Sequence, residues 1–569
     1  MQHKPSPVAR MWRGVARFRH GGSLLAACLV LGCSAEGGDG AVVLREVDCG
    51  QPVQSGPASY TGSRDVSACA WRGIPYGAST GGENRFHYAR AASIAGPWDA
   101  TQYGHSCLQG SGGKVESYRT VQSFDEDCLN LNIWAPGRAE DGHLQRGLPV
   151  MVWIYGGGFS QGSGATELYN GEPLTTHGVI VVTINYRLGA PGWLAIPGAA
   201  DAQGRTLEGN YGLSDQVLAL SWVREHIADF GGDPGNVTIF GESAGAYSVC
   251  ALMGSPFADG LYHRAIMESG ACLMAGPQTH TDYSRQWIEN VGCPVTAPQS
   301  LECLQQLEAQ WLMDQASWPL FEVDAPVTGG HMLPQPPLAR LAGAGRQVPL
   351  LAGFNADEVK LLALANRTLM AKRDEPWSVT WARTESVVGA QAARRLRHAY
   401  PTPLYPTPQD FILQGATDVL FSCPARQAVR TGDAPSYLYR FRIEPDSFFL
   451  EPYTGSFHAS EIPFVFGSRD LLMLLFPSDD RLQRAVELSR QIQRYWTRFA
   501  RTGDPNDADL PRWEPYDTRD IQMELTVPLG SSAGEFRERC DIWDSVVPDE
   551  LNTLFYQFGL DLIGADSLF

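Results

Sequence analysis

The strongest constraint on this chain is a five-residue turn, Gly241-Glu242-Ser243-Ala244-Gly245. It matches the pattern G-x-S-x-G, which alone is weak because glycine and serine are common in loops. Its setting makes it specific. The apolar run Val237 to Phe240 enters the turn, and the helix-forming stretch Ala246 to Met253 leaves it. A chain that goes from strand to helix through so sharp a bend forces the serine into a strained conformation, and only glycines at the flanks permit the close packing. The hydroxyl then stands at the carboxyl end of a sheet, over a helix N-terminus that favours developing negative charge. A plain glycine-rich turn would not need strand and helix signals abutting it on both sides.

The surrounding residues repeat the pattern. Pro149 to Tyr155 and Val179 to Asn185 are short, continuous apolar runs, the mark of parallel strands buried on both faces. Asp215 to Phe230 has helical spacing, with Leu218, Trp222, Val223 and Ile227 on one face, and Gly231-Gly232-Asp233-Pro234 ends it. Alternating strands and helices predict an α/β fold with a large, mostly parallel sheet. With no internal repeat and no break in composition, one domain is expected over residues 41–560, followed by a short tail, 561–569.

Residues 1–32 read as an export signal. Arg10, Arg13, Arg17 and Arg19 precede an apolar stretch from Leu24 to Gly32, too short for a bilayer span of about 20 residues. The stretch ends in Leu29-Val30-Leu31-Gly32-Cys33, which resembles a bacterial lipoprotein box with Cys33 as the lipidated residue. Leu25-Ala26-Ala27-Cys28 is a competing box, and an ordinary secretory signal is the alternative to both. Residues 33–40 are small and polar, as in a tether. Export in turn explains the cysteines: of 12 in the chain, all but Cys28 and Cys33 lie beyond the leader, where an oxidising compartment favours pairing. The formal charge of −18 argues against nucleic acid as a partner.

A second glycine cluster, Gly156-Gly157-Gly158-Phe159, follows the Pro149 run. Backbone amides there can converge on one point, which acyl transfer requires for its tetrahedral oxyanion. A serine hydroxyl also needs a general base, and the base an orienting acid; after a G-x-S-x-G turn the order is serine, acid, histidine. His263, His280, His331, His398 and His458 all lie downstream, and residue chemistry does not choose among them.

Many further segments do. Arg72-Gly73-Ile74-Pro75-Tyr76, Glu126 to Asn132, Val152 to Phe159, Asn185-Tyr186-Arg187, Gly209 to Leu213, Asp215-Gln216, Phe230-Gly231-Gly232 and Tyr495-Trp496 to Pro505 occur in this order. From about Gly50 to Asp544 the chain resembles the cholinesterase-like type B carboxylesterases, which have the α/β-hydrolase fold with insertions that form a gorge. The family's acid motif, G-x-N-x-D-E-G, is similar to Gly353 to Val359, with Val359 in place of the last glycine. Its base motif, H-x-x-E-I-x-F-V-F-G, is similar to His458 to Gly467. The resemblance implies Glu358 as acid, His458 as base, and the amides of Gly157, Gly158 and Ala244 as oxyanion donors. Tyr155 stands where many esterases have histidine.

The resemblance also implies disulfides between Cys107 and Cys128, Cys293 and Cys303, and Cys423 and Cys540. Cys49 and Cys69 flank an expected hairpin and could pair. Cys250 and Cys272 are expected to stay free and buried. The implied function is a serine carboxylesterase acting on small carboxylic esters through an acyl-enzyme, without metal or organic cofactor, exported and attached to a membrane only through a lipid at Cys33, or else simply secreted. The rival is a non-catalytic adhesion or scaffold module of the same fold; such relatives lack the nucleophile, which is present here. Glu242, Tyr118, Trp318, Phe321 and Leu361 are the expected substrate contacts. The segment Leu108 to Asp127 contains no tryptophan, and Val359, Lys360, Leu361 and Leu362 after the acid include no aromatic residue. A quaternary ammonium needs an aromatic face, so a general esterase is expected and not a choline-ester specialist. An unperturbed imidazole would lose its base function below a pH of about 6.5.

Overall fold

The apolar runs become the middle of one twisted sheet. Its strands in chain order are β1 (Ser63–Arg64), β2 (Ala68–Pro75), β3 (Asn130–Pro136), β4 (Leu148–Ile154), β5 (Ile180–Ile184), β6 (Gly232–Glu242), β7 (Arg264–Glu268), β8 (Leu350–Asn355), β9 (Ser436–Phe441), β10 (Ile521–Leu525) and β11 (Gly530–Ala533). They lie in the order β11-β10-β9-β8-β7-β6-β4-β5-β3-β2-β1. From β5 across to β10 every pair is parallel; the remaining edge pairs are antiparallel. This computed structural model describes residues 49–110, 123–137, 144–315, 324–344, 348–361, 371–446 and 455–547.

The three strands expected from sequence are β4, β5 and β6, side by side in the order β6-β4-β5. Every residue of β5, β8 and β9 is buried. Burial on both faces is why the β5 segment reads as an unbroken apolar run and not as an alternating one. Strand β6 starts at Gly232, before the apolar run, with a register irregularity between Gly232 and Val237. The helix expected from Asp215 begins earlier, as α1 (Tyr211–His226), and ends in a 3-10 turn over Ile227–Phe230. A tertiary contact sets its start. Asn210 takes a left-handed φ of 58°, and its amide side chain clasps the backbone of Val327, donating at 2.8 Å and accepting at 2.9 Å. Trp222, Val223 and Ile227 are buried as expected, whereas Leu218 is half-buried.

Strand β6 feeds through Ser243 into α2 (Ala244–Gly254). A Cβ on Gly245 would lie 1.9 Å from the Ile154 carbonyl oxygen, and one on Gly241 would lie 2.6 Å from that same oxygen. No side chain fits at either place, so the two flanking glycines let the bend seat directly on the end of β4. The long helix α3 (Asp479–Thr502) backs the sheet, and its Trp496 indole donates to Glu268 at the end of β7 over 2.7 Å.

Disulfides join Cys49 to Cys69, Cys107 to Cys128, Cys293 to Cys303 and Cys423 to Cys540, as expected. Cys250 and Cys272 are not free: they form a fifth bond. The register pairs Glu242 with Glu268 at the ends of β6 and β7, so α2 and the turn after β7 leave the sheet as neighbours. This brings the two Cα atoms to 5.3 Å, inside the range a disulfide can bridge. Five cross-links between Cys49 and Cys540 mark a protein exported to an oxidising compartment. Cys33 with the leader, and the tail 561–569, lie outside the described residues. Among the described residues, no helix is long and apolar enough to cross a membrane.

Candidate active site

The bend between β6 and α2 holds Ser243 at φ 54° and ψ −125°, a region that L-residues avoid and that persists only where the surroundings over-determine it. The surroundings do so. The Ser243 amide donates to the Glu268 carbonyl at 2.9 Å, and its carbonyl accepts from Tyr247 at 3.0 Å. Beside it runs the loop after β4. A Cβ on Gly156 would stand 2.9 Å from the Ser243 Cβ, which places this loop directly against the nucleophile candidate. Gly157 and Gly158 take φ values of 118° and 61°. Among the described residues, the amides of Gly157, Gly158 and Ala244 donate to no protein group. Tyr155 has a structural use: its ring stacks on Tyr186 at 4.5 Å, and each hydroxyl donates to the other residue's carbonyl, at 3.1 and 2.8 Å.

The acid and base candidates meet. Glu358 lies in the turn after β8, fully buried. Its Oε1 accepts from the Asn355 amide at 2.7 Å, and its Oε2 lies 2.7 Å from Nδ1 of His458. The His458 amide donates to the Glu358 carbonyl at 3.2 Å. Val359, where the resemblance leads one to expect glycine, is buried with φ outside the left-handed region, so the turn does not require glycine. Asp357 fastens this turn to the loop that carries the histidine. Its amide donates to the Ser456 carbonyl and its carboxylate accepts from the Ser456 amide, both at 3.0 Å. Lys360 pairs with Asp357 at 2.5 Å. Leu361 is half-buried. Tyr118, Trp318 and Phe321 lie outside the described residues.

The other nitrogen of the imidazole does not meet the serine. No hydrogen bond joins the Ser243 hydroxyl to His458, and Nε2 rests 3.1 Å from Oε1 of Glu242. The position of Glu242 has an electrostatic consequence. Burial by itself would lower the pKa of His458, but the Glu242 charge and the hydrogen bond to Glu358 outweigh it and hold the ring well above its ordinary value. Glu242 is raised in turn, first by burial and then by Glu461 and Glu358. A proton therefore stays on the Glu242–His458 pair to higher pH than an isolated imidazole would keep it.

Several residues at the site escaped the sequence reading. Glu461, one turn beyond His458, is buried and accepts from the Asn355 side chain at 2.5 Å and from the Ser269 hydroxyl at 3.4 Å. Its place in the H-x-x-E motif was the available signal. Phe421 sits with its ring 5.0 Å from the imidazole, on a π-helical turn over Asp418–Ser422. Such turns are rare and frequent at functional sites, but nothing in the local sequence announces one.

The carboxylesterase family profile matches residues 54–543. The chain belongs to that family. It is 34% identical to a para-nitrobenzyl esterase of Bacillus subtilis, over 82% of this chain and 94% of that one. It is 32% identical to human carboxylesterase 5A, over 87% and 88% of the two chains. A solved thermophilic pNB esterase superposes with a TM-score of 0.74 at 32% identity, covering 87% of this chain and all of the other. The α/β-hydrolase fold and carboxylic ester hydrolysis follow from this membership.

The buried carboxylates set the expected pH profile. A base must be deprotonated to act, so with His458 as the candidate base a raised imidazole loses activity at a higher pH than usual. The acid limb of kcat/KM is expected above about 6.5. Glu242→Gln removes the charge beside Nε2 and should move that limb to lower pH, as read from pH–rate profiles of both proteins. An unmoved limb would contradict this account.

Proposed function

We propose that the protein hydrolyses carboxylic esters with Ser243 as nucleophile, His458 as general base and Glu358 as the acid that orients it. The observation that carries this reading is the 2.7 Å contact of His458 Nδ1 with the buried Glu358 carboxylate, beside a serine held in a strained strand-to-helix bend. As an ester binds, His458 Nε2 exchanges Glu242 for the Ser243 hydroxyl and takes its proton while Oγ attacks the carbonyl carbon. The unengaged amides of Gly157, Gly158 and Ala244 receive the oxyanion. Collapse breaks the bond to the alcohol, which leaves with the proton from His458. Water, deprotonated by the same imidazole, then attacks the acyl-enzyme and releases the carboxylic acid. Glu358 keeps the proton-bearing nitrogen turned away from the serine and balances the imidazolium charge.

The substrate range is that of a general carboxylesterase. Lys360, which could have placed a cation beside the alcohol group, is tied to Asp357, and Val359 is buried. Neither supplies the aromatic face that a quaternary ammonium needs. The protein is also proposed to be a bacterial lipoprotein: the leader is residues 1–32, Cys33 carries the lipid, and residues 33–40 tether a catalytic domain over 41–560.

Ser243→Ala should lose roughly four orders of magnitude or more in turnover, because the covalent route disappears. An organophosphate should add its mass to the wild-type peptide that contains Ser243; a label on a different serine would refute the assignment. A choline ester and its uncharged isostere should differ by less than about tenfold in kcat/KM, roughly 1.4 kcal/mol, whereas a larger cation preference would mean that an aromatic choline site exists. Intact-mass analysis of the membrane-extracted protein should find a diacylglyceryl group at an N-terminal Cys33, lost in Cys33→Ala. Cleavage at an unmodified residue would mean simple secretion.

A further inference from the structure

We propose that the Cys250–Cys272 disulfide is a positioning element for catalysis, fixing the turn after β7 against the nucleophile's helix and so keeping the three catalytic side chains in register. The inference rests on the triad assigned above. Cys250 lies on α2, which begins immediately after Ser243. Cys272 ends the short turn Ser269-Gly270-Ala271 that leaves β7. This turn is where the supports of all three residues meet.

Glu268, at its root, accepts the Ser243 amide at 2.9 Å, and the Ser269 amide donates to the Gly353 carbonyl in the acid's strand, also at 2.9 Å. The Ser269 hydroxyl donates to Glu461 at 3.4 Å. Glu461 in turn holds the Asn355 side chain at 2.5 Å, and that same side chain donates to the Phe457 carbonyl, next to His458, at 2.9 Å. The Asn355 backbone amide donates to Glu358 at 2.7 Å. One turn thus touches the elements that carry nucleophile, acid and base.

The turn is also under constraint. Ser269 has a φ of 53°, which a residue with a side chain holds only when its neighbours leave no alternative. A Cβ on Gly270 would fall 2.3 Å from the Ala246 Cβ, so the turn is pressed against the first turn of α2. Both cysteines are buried, at 0% and 4% exposure, so the bond is part of this packed junction and not a surface staple. Without it, strained Ser269 and the helix can drift apart, and a misplacement of about 1 Å at a reacting group can cost up to about a hundredfold in rate.

A matched pair of variants separates positioning from simple stabilisation. Cys49 and Cys69 are 20 residues apart and Cys250 and Cys272 are 22 apart, so chain entropy alone gives both bonds nearly the same effect on stability. Full-length Cys250→Ala/Cys272→Ala and Cys49→Ala/Cys69→Ala proteins are compared at 25 °C, once circular dichroism shows each to be folded. The measurements are Tm, kcat and KM on p-nitrophenyl acetate, and the second-order rate of Ser243 phosphorylation by diisopropyl fluorophosphate. Both variants should lose similar Tm. The 250/272 variant alone should lose about tenfold or more in kcat and in phosphorylation rate, with KM within about twofold of wild type. If it fails to fold, Cys250→Val/Cys272→Ala, which restores volume on the helix side, takes its place. Wild-type rates with a lowered Tm, equal rate losses in both variants, or free thiols at Cys250 and Cys272 in exported protein would each overturn the proposal. Labelling of wild-type enzyme away from Ser243 would instead sink the triad.

Discussion

The Ile154 carbonyl oxygen stands 1.9 Å from the point where residue 245 would carry a Cβ, and nearly as close to that of residue 241. Strand β4 therefore ends against bare backbone. This contact sets how sharply the chain turns after β6, and the sharpness in turn gives Ser243 its unusual φ and ψ. It also sets how near the Gly156 loop approaches, since that loop leaves the same strand. Ser243 and the proposed amide donors are thus placed by one close approach, and their relative position is a property of the sheet more than of the loop.

The second organising feature is the concentration of carboxylates around one imidazole. Glu242, Glu358 and Glu461 are all nearly fully buried, and water would otherwise solvate each of them well. Such burial disfavours the charged form, so Glu242 and Glu461 hold protons more readily than ordinary glutamates. The imidazole gains its basicity from the same neighbours. Reactivity here is a shared property of a buried cluster, which is why replacing Glu242 is expected to alter a titration that formally belongs to His458.

How much of this was legible depended on the range of the interaction. Local signals carried the bend at Ser243 and the three strands around it, because burial on both faces leaves a direct trace in composition. The start of α1 lies ahead of its helical spacing because Val327, far along the chain, holds Asn210 in the conformation that begins the helix. Among five downstream histidines, chemistry alone offered no choice, and the motif around His458 had to supply it. Cys250 and Cys272, a helical cysteine and a loop cysteine, share no local signal; they meet through the register of β6 on β7. The support given by Ser269, Asn355 and Glu461 is of the same kind, made between side chains on different strands and turns.

The bond between Cys423 and Cys540 spans 117 residues, far more than the others. It closes a covalent ring that contains β9, β10, β11 and α3, together with His458, while Ser243 and Glu358 lie outside it. His458 and Ser243, the proposed base and nucleophile, therefore belong to topologically different parts of the molecule. A single backbone cut inside the ring releases no fragment, and the histidine's segment stays fastened at both ends of the break. In a protease-rich extracellular setting, such a chain can be nicked there and still remain one molecule.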